Sequence, residues 1–383
     1  MSLEFLAGLP EFRALVARLK RGEDCLFLSG LIAEARPYIY ALLAREIPRP
    51  LVIISPGSSP PPELGQDTAN FLRLLSVNRE VQFLPALSAE PYLEVAAPLE
   101  AVASRMKTLH RLLLGHRPII FTSLPGLLKP VPAAEDLKQS FIKIAAGDEL
   151  DRNWLLDRLK EFGYVHEDLV ASAGEYACRG GIVDIYSVWS ENPYRLEFSA
   201  DRVASIREFD ASTQRSINRV ETVVIPSLHE FPGGPAFLEK FGRLARSRAG
   251  HNRDLEKKLE LLRQGEIFPS FIYSSILVRG HFQPITGLME QPLFIFDERD
   301  LVEKDWQERL ADWQQAYEEQ AAQSAFYLPP AEIFPPETLE TVTGRALSLV
   351  ELGESQEENW IRFSFQPVPR FDNKIPFFLQ YLK

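Results

Sequence analysis

The chain has 383 residues, 45% of them hydrophobic and 25% charged. That is the composition of a globular protein of two or three domains, not of a disordered or collagenous chain. Its 42 Lys and Arg against 53 Asp and Glu leave a net charge of −11, which disfavours sequence-independent DNA binding by bulk electrostatics but leaves room for a local basic patch. The cysteines, Cys25 and Cys178, lie too far apart for a metal knuckle or a CxxC pair and fit a reducing cytoplasm. The histidines (His110, His116, His166, His229, His251, His281) show no HxH or HExxH spacing. No apolar run approaches the ~20 residues of a membrane span. The N-terminus lacks the basic region and apolar core of a signal peptide.

In chain order, Leu26 to Gly30 reads as a short buried strand ending in glycine, and Pro37 to Glu46 as a helix. Further buried strands follow at Leu51–Ile54, Val81–Leu84 and Pro118–Thr122. Short β-rich runs alternating with helices predict a parallel α/β sheet. The pattern changes near residue 140. Leu150 to Phe162 reads as an amphipathic helix with Asp148 or Asp151 as N-cap and Gly163 as C-cap. From Gly174 to Pro226 consecutive antiparallel strands are expected. In one of them Tyr194, Leu196 and Phe198 share an apolar face, while Arg195, Glu197 and Ser199 share a solvated one. Ala200-Asp201-Arg202 turns the chain. Gly180-Gly181 is expected to mark a β-bulge or a close backbone approach. Beyond Pro235 the α/β character resumes, with a buried strand at Leu293–Glu298 and then Val302, Trp306, Leu310, Trp313 and Tyr317 at helical spacing, read as core packing.

The strand–glycine–helix at Leu28 to Tyr38 sits where a phosphate loop would. A working loop reads GxxxxGK[ST]: glycines admit the phosphates, Lys bridges the outer ones and the hydroxyl holds magnesium. Here Gly30 is followed by Ala35 at the second glycine position, Arg36 at the lysine and Pro37 at the hydroxyl. Pro37 has neither a hydroxyl nor an amide hydrogen, and Glu34 adds negative charge where phosphates would lie. The frame of a nucleotide site is expected without its chemistry. Asp297-Glu298 at a strand end resembles a Walker B pair. Without a working phosphate loop, it reads as a degenerate one with a structural role. The basic cluster Arg243, Arg246, Arg248 and Arg253 reads as a solvated helix face.

The run Gly174 to Ile185, GEYACRGGIVDI, resembles the signature shared by the excision-repair helicase UvrB and the transcription-repair coupling factors (Mfd). Pro193 to Phe198, Ile206 to Asp210, Thr213 to Ser216 and Gly147 to Leu150 continue the resemblance, and Gln366 to Phe371 looks like a motif near the end of the same module. The Gly30–Pro37 loop favours the coupling factors, because UvrB keeps an intact ATP site. So does the segment from Phe83 to Tyr92, which lacks the tyrosine-rich hairpin of UvrB.

The resemblance implies a degenerate RecA-like helicase lobe split into parts 1a (1–138) and 1b (227–383), with a small α+β domain 2 (139–226) inserted. It implies a cytoplasmic, non-catalytic module with no cofactor, in which domain 2 docks the repair protein UvrA. RNA polymerase and DNA would be engaged by regions that this chain lacks, and the chain is expected to end about where the module does. Two arginines that carry the UvrA contact in the family match Arg179 and Arg195. Where the family places an aromatic docking residue shortly after the strand's Phe, Ser199 follows Phe198. A plainer reading of Arg195 is an ion pair with Glu197 or Asp201 across its hairpin. The rival function is a UvrB-like, ATP-dependent, damaged-DNA-binding helicase fragment.

Overall fold

The computed structural model describes residues 6–88, 90–250, 252–350 and 358–365. The Gln366–Phe371 motif and His251 lie outside them. Seven strands form a parallel sheet in the order Trp360–Arg362, Phe27–Ser29, Ala346–Val350, Leu293–Asp297, Leu51–Ile54, Ile119–Thr122, Val81–Leu84. The central strands are buried along their whole length. That is why they read as unbroken apolar runs: a parallel sheet is covered on both faces. Alternate residues serve two cores. Val52, Ile54, Ile120, Phe294 and Phe296 face one side, while Leu51, Ile53, Ile119, Phe121 and Ile295 face the other. Val302, Trp306 and Trp313 are buried on the helix Arg299–Ala322, and Trp313 stacks on Phe334 at 4.9 Å.

Between the early and late strands of this sheet the chain leaves and returns through a two-stranded antiparallel stem. Phe141–Ala145 pairs with Thr222–Pro226, Phe141 opposite Pro226. Beyond the stem lies a separate six-stranded sheet in the order Ser216–Arg219, Arg202–Phe209, Tyr194–Ser199, Ile182–Ile185, Glu175–Arg179, Val165–His166. The protein is thus α/β with a small inserted α+β domain. The inserted sheet is antiparallel except at its edge, where Val165–His166 runs parallel to Glu175–Arg179. The helix Arg152–Glu161 buries Leu155 and Leu159 in the insert's core. Its N-cap is Asp151, whose carboxylate accepts from the Trp154 amide at 2.9 Å. Asp148 instead accepts from the Ala145 amide at 2.7 Å and closes the turn after the stem. Gly163, at φ +88°, ends the helix.

The return point is held by buried charge. Arg105, on the helix Leu99–Leu113, forks onto the Glu230 carboxylate through Nε and Nη2, the latter at 2.8 Å. Its Nη1 donates to the carbonyls of Pro85 and Gly126. Lys129 Nζ reaches the same carboxylate at 3.1 Å. All three side chains are 0–1% exposed. Burial pushes the Glu230 carboxyl up, but the two cations outweigh it and hold it below its ordinary range, while burial pulls Lys129 down. Nearby, Trp189 of the insert donates its indole N–H to the Ala103 carbonyl at 2.9 Å and packs with His110 and Phe141.

Replacing Glu230 with Ala leaves two cations buried without a counter-charge, which is expected to remove about 3–5 kcal/mol in urea denaturation at pH 7. Because the folded value of Glu230 lies below its ordinary 4.5, its stabilisation is complete above that pH and is lost as pH falls through the folded value. The gap between the two proteins should therefore narrow as pH falls below 4.5.

Candidate functional site

The phosphate-loop position lies at the carboxyl ends of the parallel strands, where open α/β sheets bind ligands. Gly30 has φ +72°, and a Cβ there would overlap the Phe363 carbonyl oxygen. The chain after Trp360–Arg362 lies over it: the Phe363 amide donates to the Ser29 carbonyl at 2.8 Å, and the Phe365 amide to Gly30. Ala33–Ala35 forms a single 3₁₀ turn, and the following helix begins at Arg36, one residue before the sequence reading, with Pro37 in its first turn.

Arg36 then reaches across the sheet. Its Nη1 donates to Asp297 Oδ1 at 2.7 Å and its Nη2 pairs with Glu298. Glu298 takes a left-handed backbone at φ +64°, turning the chain sharply as the strand ends. Exposure of the three side chains is only 11%, 10% and 17%. Burial pushes the Asp297 carboxyl up, with Arg36 offsetting part of that rise, and the Tyr40 hydroxyl is buried beside it. Two features that the sequence presents separately, a phosphate loop with Arg36 and a Walker B-like pair, are one ion triad. Chemically, the guanidinium engages the carboxylates that a magnesium ion would need.

Arg36→Met should leave two carboxylates facing each other in a desolvated crevice. A loss of about 3–5 kcal/mol is expected at pH 7. The Asp297 carboxyl already sits above its ordinary 3.8, so its charged form is disfavoured in the fold. The loss should therefore be smaller at pH 5 than at pH 7 in denaturation curves.

A second cluster lies on the inserted sheet. Arg195 sits opposite Asp184 on one neighbouring strand and Arg207 on the other. Its Nε donates to Asp184 Oδ1 at 2.7 Å and its Nη2 to Asp184 Oδ2 at 2.8 Å, a bidentate fork. The same Nη2 also reaches Gln214 Oε1 at 3.0 Å. The guanidinium lies 4.2 Å from the centroid of the buried Phe209 ring. Hydrogen bonding to Asp184 raises its already high pKa. Arg179 Nη2 joins the same carboxylate at 3.1 Å.

The partner of Arg195 is therefore Asp184, not Glu197 or Asp201. Glu197 accepts from Ser205 Oγ at 2.6 Å. Nor is the polar face wholly solvated. Val170, Ala177 and Phe209 form a small buried cluster there, and Arg195 is only 18% exposed. Arg179 is 50% exposed, and Asp184 lies beneath at 1%. Gly180-Gly181 is the two-residue turn joining Arg179 to Ile182. Gly180 takes φ +60°, and a Cβ on Gly181 would come within 3.0 Å of the Phe198 carbonyl, so the close approach is to the next strand. Ser199 is exposed.

Sequence reasoning missed Asp184, Gln214 and Phe209 as a supporting shell. The available signal was Asp184 itself, one acid inside the apolar run Ile182-Val183-Asp184-Ile185. Within the remote basic cluster, Arg246 pairs with Glu256 and Arg248 with Glu332. Tyr92 is buried, donating to the Leu328 carbonyl at 3.0 Å.

Residues 142–231, which span this arginine face, match the family described as the UvrB interaction domain. The chain is also 31% identical over 266 residues to the transcription-repair-coupling factor of Bacillus subtilis (strain 168) and 29% over 260 residues to that of Escherichia coli (strain K12). The chain carries a UvrB-homology module of the coupling-factor type. The two alignments cover 69% and 68% of this chain but 22% of each relative, so the chain spans about a fifth of their length. Myxococcus xanthus has a similar relative, 32% identical over 221 residues, or 56% of this chain and 18% of the relative. The UvrB interaction match contains Arg179, Asp184 and Arg195 of the module, while the Arg36–Asp297–Glu298 triad lies outside it.

Proposed function

We propose that this chain is a recruitment module that docks UvrA through its inserted domain, residues 139–226, and performs no nucleotide chemistry of its own. The observation that carries the reading is the Arg179–Asp184–Arg195 cluster inside the UvrB interaction match. Arg195 is held in one geometry by Asp184, Gln214 and Phe209, so little side-chain entropy remains to be lost on binding. Arg179 is the more exposed member and the one free to lean onto a partner carboxylate.

In this reading, residues 1–138 and 227–383 form the two parts of a degenerate helicase lobe that carries the docking domain. The Arg36 triad supports the absence of ATP turnover, because its guanidinium engages both carboxylates and Pro37 offers no ligand for magnesium. In the same reading, RNA polymerase and DNA are engaged by parts of a coupling factor other than this module, and the setting is the cytoplasm.

Arg179→Ala is expected to weaken UvrA binding by about 2 kcal/mol, as for an interface hot spot, with the fold intact. Arg195→Ala should weaken it comparably while also exposing Asp184. Surface plasmon resonance with purified UvrA reads both, and unchanged binding by the double variant would overturn the assignment. Titration with a fluorescent ATP analogue should show no saturation in the micromolar range. Micromolar binding there would favour the UvrB-like ATPase instead.

A further inference from the structure

The cross-strand register of the inserted sheet sets three arginines side by side. Arg195 is opposite Arg207, and Arg207 is opposite Arg219 on the edge strand Ser216–Arg219. Directly paired residues of antiparallel strands share a face, so all three lie on the face that carries Arg179 and Asp184. With strands about 4.8 Å apart, the row extends about 10 Å from Arg195 to the sheet's edge. Like charges directly opposite each other destabilise a sheet, and the three acids on this face, Glu175, Asp184 and Glu197, do not neutralise the row. Asp184 is taken up by Arg195 and Arg179. Glu197 lies 3.6 Å from Arg207 and accepts from Ser205. Arg219 is exposed and forms no salt bridge among the described residues. Glu175, at the far end of the face, accepts from the amides of Ala171 and Ser172. Four arginines against three acids leave this face positive in a chain whose net charge is −11.

We infer that the docking surface continues along Arg207 and Arg219 to the sheet edge, and that its occupant is an acidic protein segment with carboxylates spaced to meet the row. The inference rests on the docking function proposed above and extends its contact set. Protein carboxylates fit this face better than nucleic-acid phosphates. Asp184 and Glu197 stand among the arginines and would repel a phosphate backbone, whereas a protein surface can place donors opposite Glu197. Arg207 is 45% exposed, so its guanidinium can swing from the long contact with Glu197 to a partner without opening the core.

The test uses the whole chain with Arg207→Ala and Arg219→Ala combined. Binding to purified UvrA is expected to weaken about tenfold, with a shallower dependence on salt, since exposed charge pairs are screened. The melting temperature should hold or rise, because the variant removes a like-charge pair; a merely structural role would lower it. Arg207→Lys with Arg219→Lys should recover part of the affinity. Unchanged affinity and salt dependence, alongside weakening by Arg179→Ala, would overturn the inference and leave the docking function standing. If Arg179→Ala also has no effect, the docking function itself fails. A short DNA duplex is the second probe. Duplex binding that the double variant abolishes, with UvrA binding unchanged, would assign the row to nucleic acid and overturn the inference.

Discussion

The fold depends on one buried carboxylate. Glu230 lies four residues beyond the end of the stem that brings the chain back from the inserted domain, and it meets Arg105 and Lys129 out of contact with water. A lone charge in that position would be strongly disfavoured. Paired with two cations, and with Arg105 also donating to the carbonyls of Pro85 and Gly126, it fixes where the second half of the parallel domain restarts. The stem alone would leave the insert hinged. The triad and the Trp189–Ala103 hydrogen bond together give it a seat against the helix Leu99–Leu113.

The same device appears twice more, with different consequences. At the strand ends, Arg36 bridges Asp297 and Glu298 and ties the opening of one helix to the sheet's central strand. On the insert, Asp184 organises Arg179 and Arg195. In the first case the charges satisfy one another in a crevice and leave little to offer a ligand. In the second, the acid is buried and the arginines reach outward, so the cluster presents positive charge. Whether such a triad closes a site or builds one depends on which partner lies at the surface.

The sheet was legible in the sequence wherever burial was complete. Leu51–Ile54 is an unbroken β-forming run buried throughout, and its bounds follow from the residues alone. Asp151 was legible as a cap because capping is local. The ion triads were not, because Arg36 and Asp297 are 261 residues apart and no local rule pairs them. Arg195 shows a subtler failure. Its sequence neighbours Glu197 and Asp201 look like partners, but hydrogen bonding across the sheet places Asp184, from the preceding strand, beside it. The conformation of Gly180-Gly181 was also open from sequence. A glycine pair between two apolar runs fits a bulge or a turn, and only the register Arg179 opposite Ile182 makes it a turn.

The position of the first strand has a consequence for synthesis. Phe27–Ser29 lies between Ala346–Val350 and Trp360–Arg362, so neither of its neighbours exists until more than 300 further residues have been made. At roughly 5–20 residues per second, that is a delay of about 15–60 s in which Leu26, Leu28 and Leu31 have no sheet to join. The insert needs no such wait. Its sheet and stem draw only on residues 141–226, which emerge together. During translation the order of maturation is therefore the reverse of the architecture: the appended domain can be finished while the lobe that supports it is still missing a side.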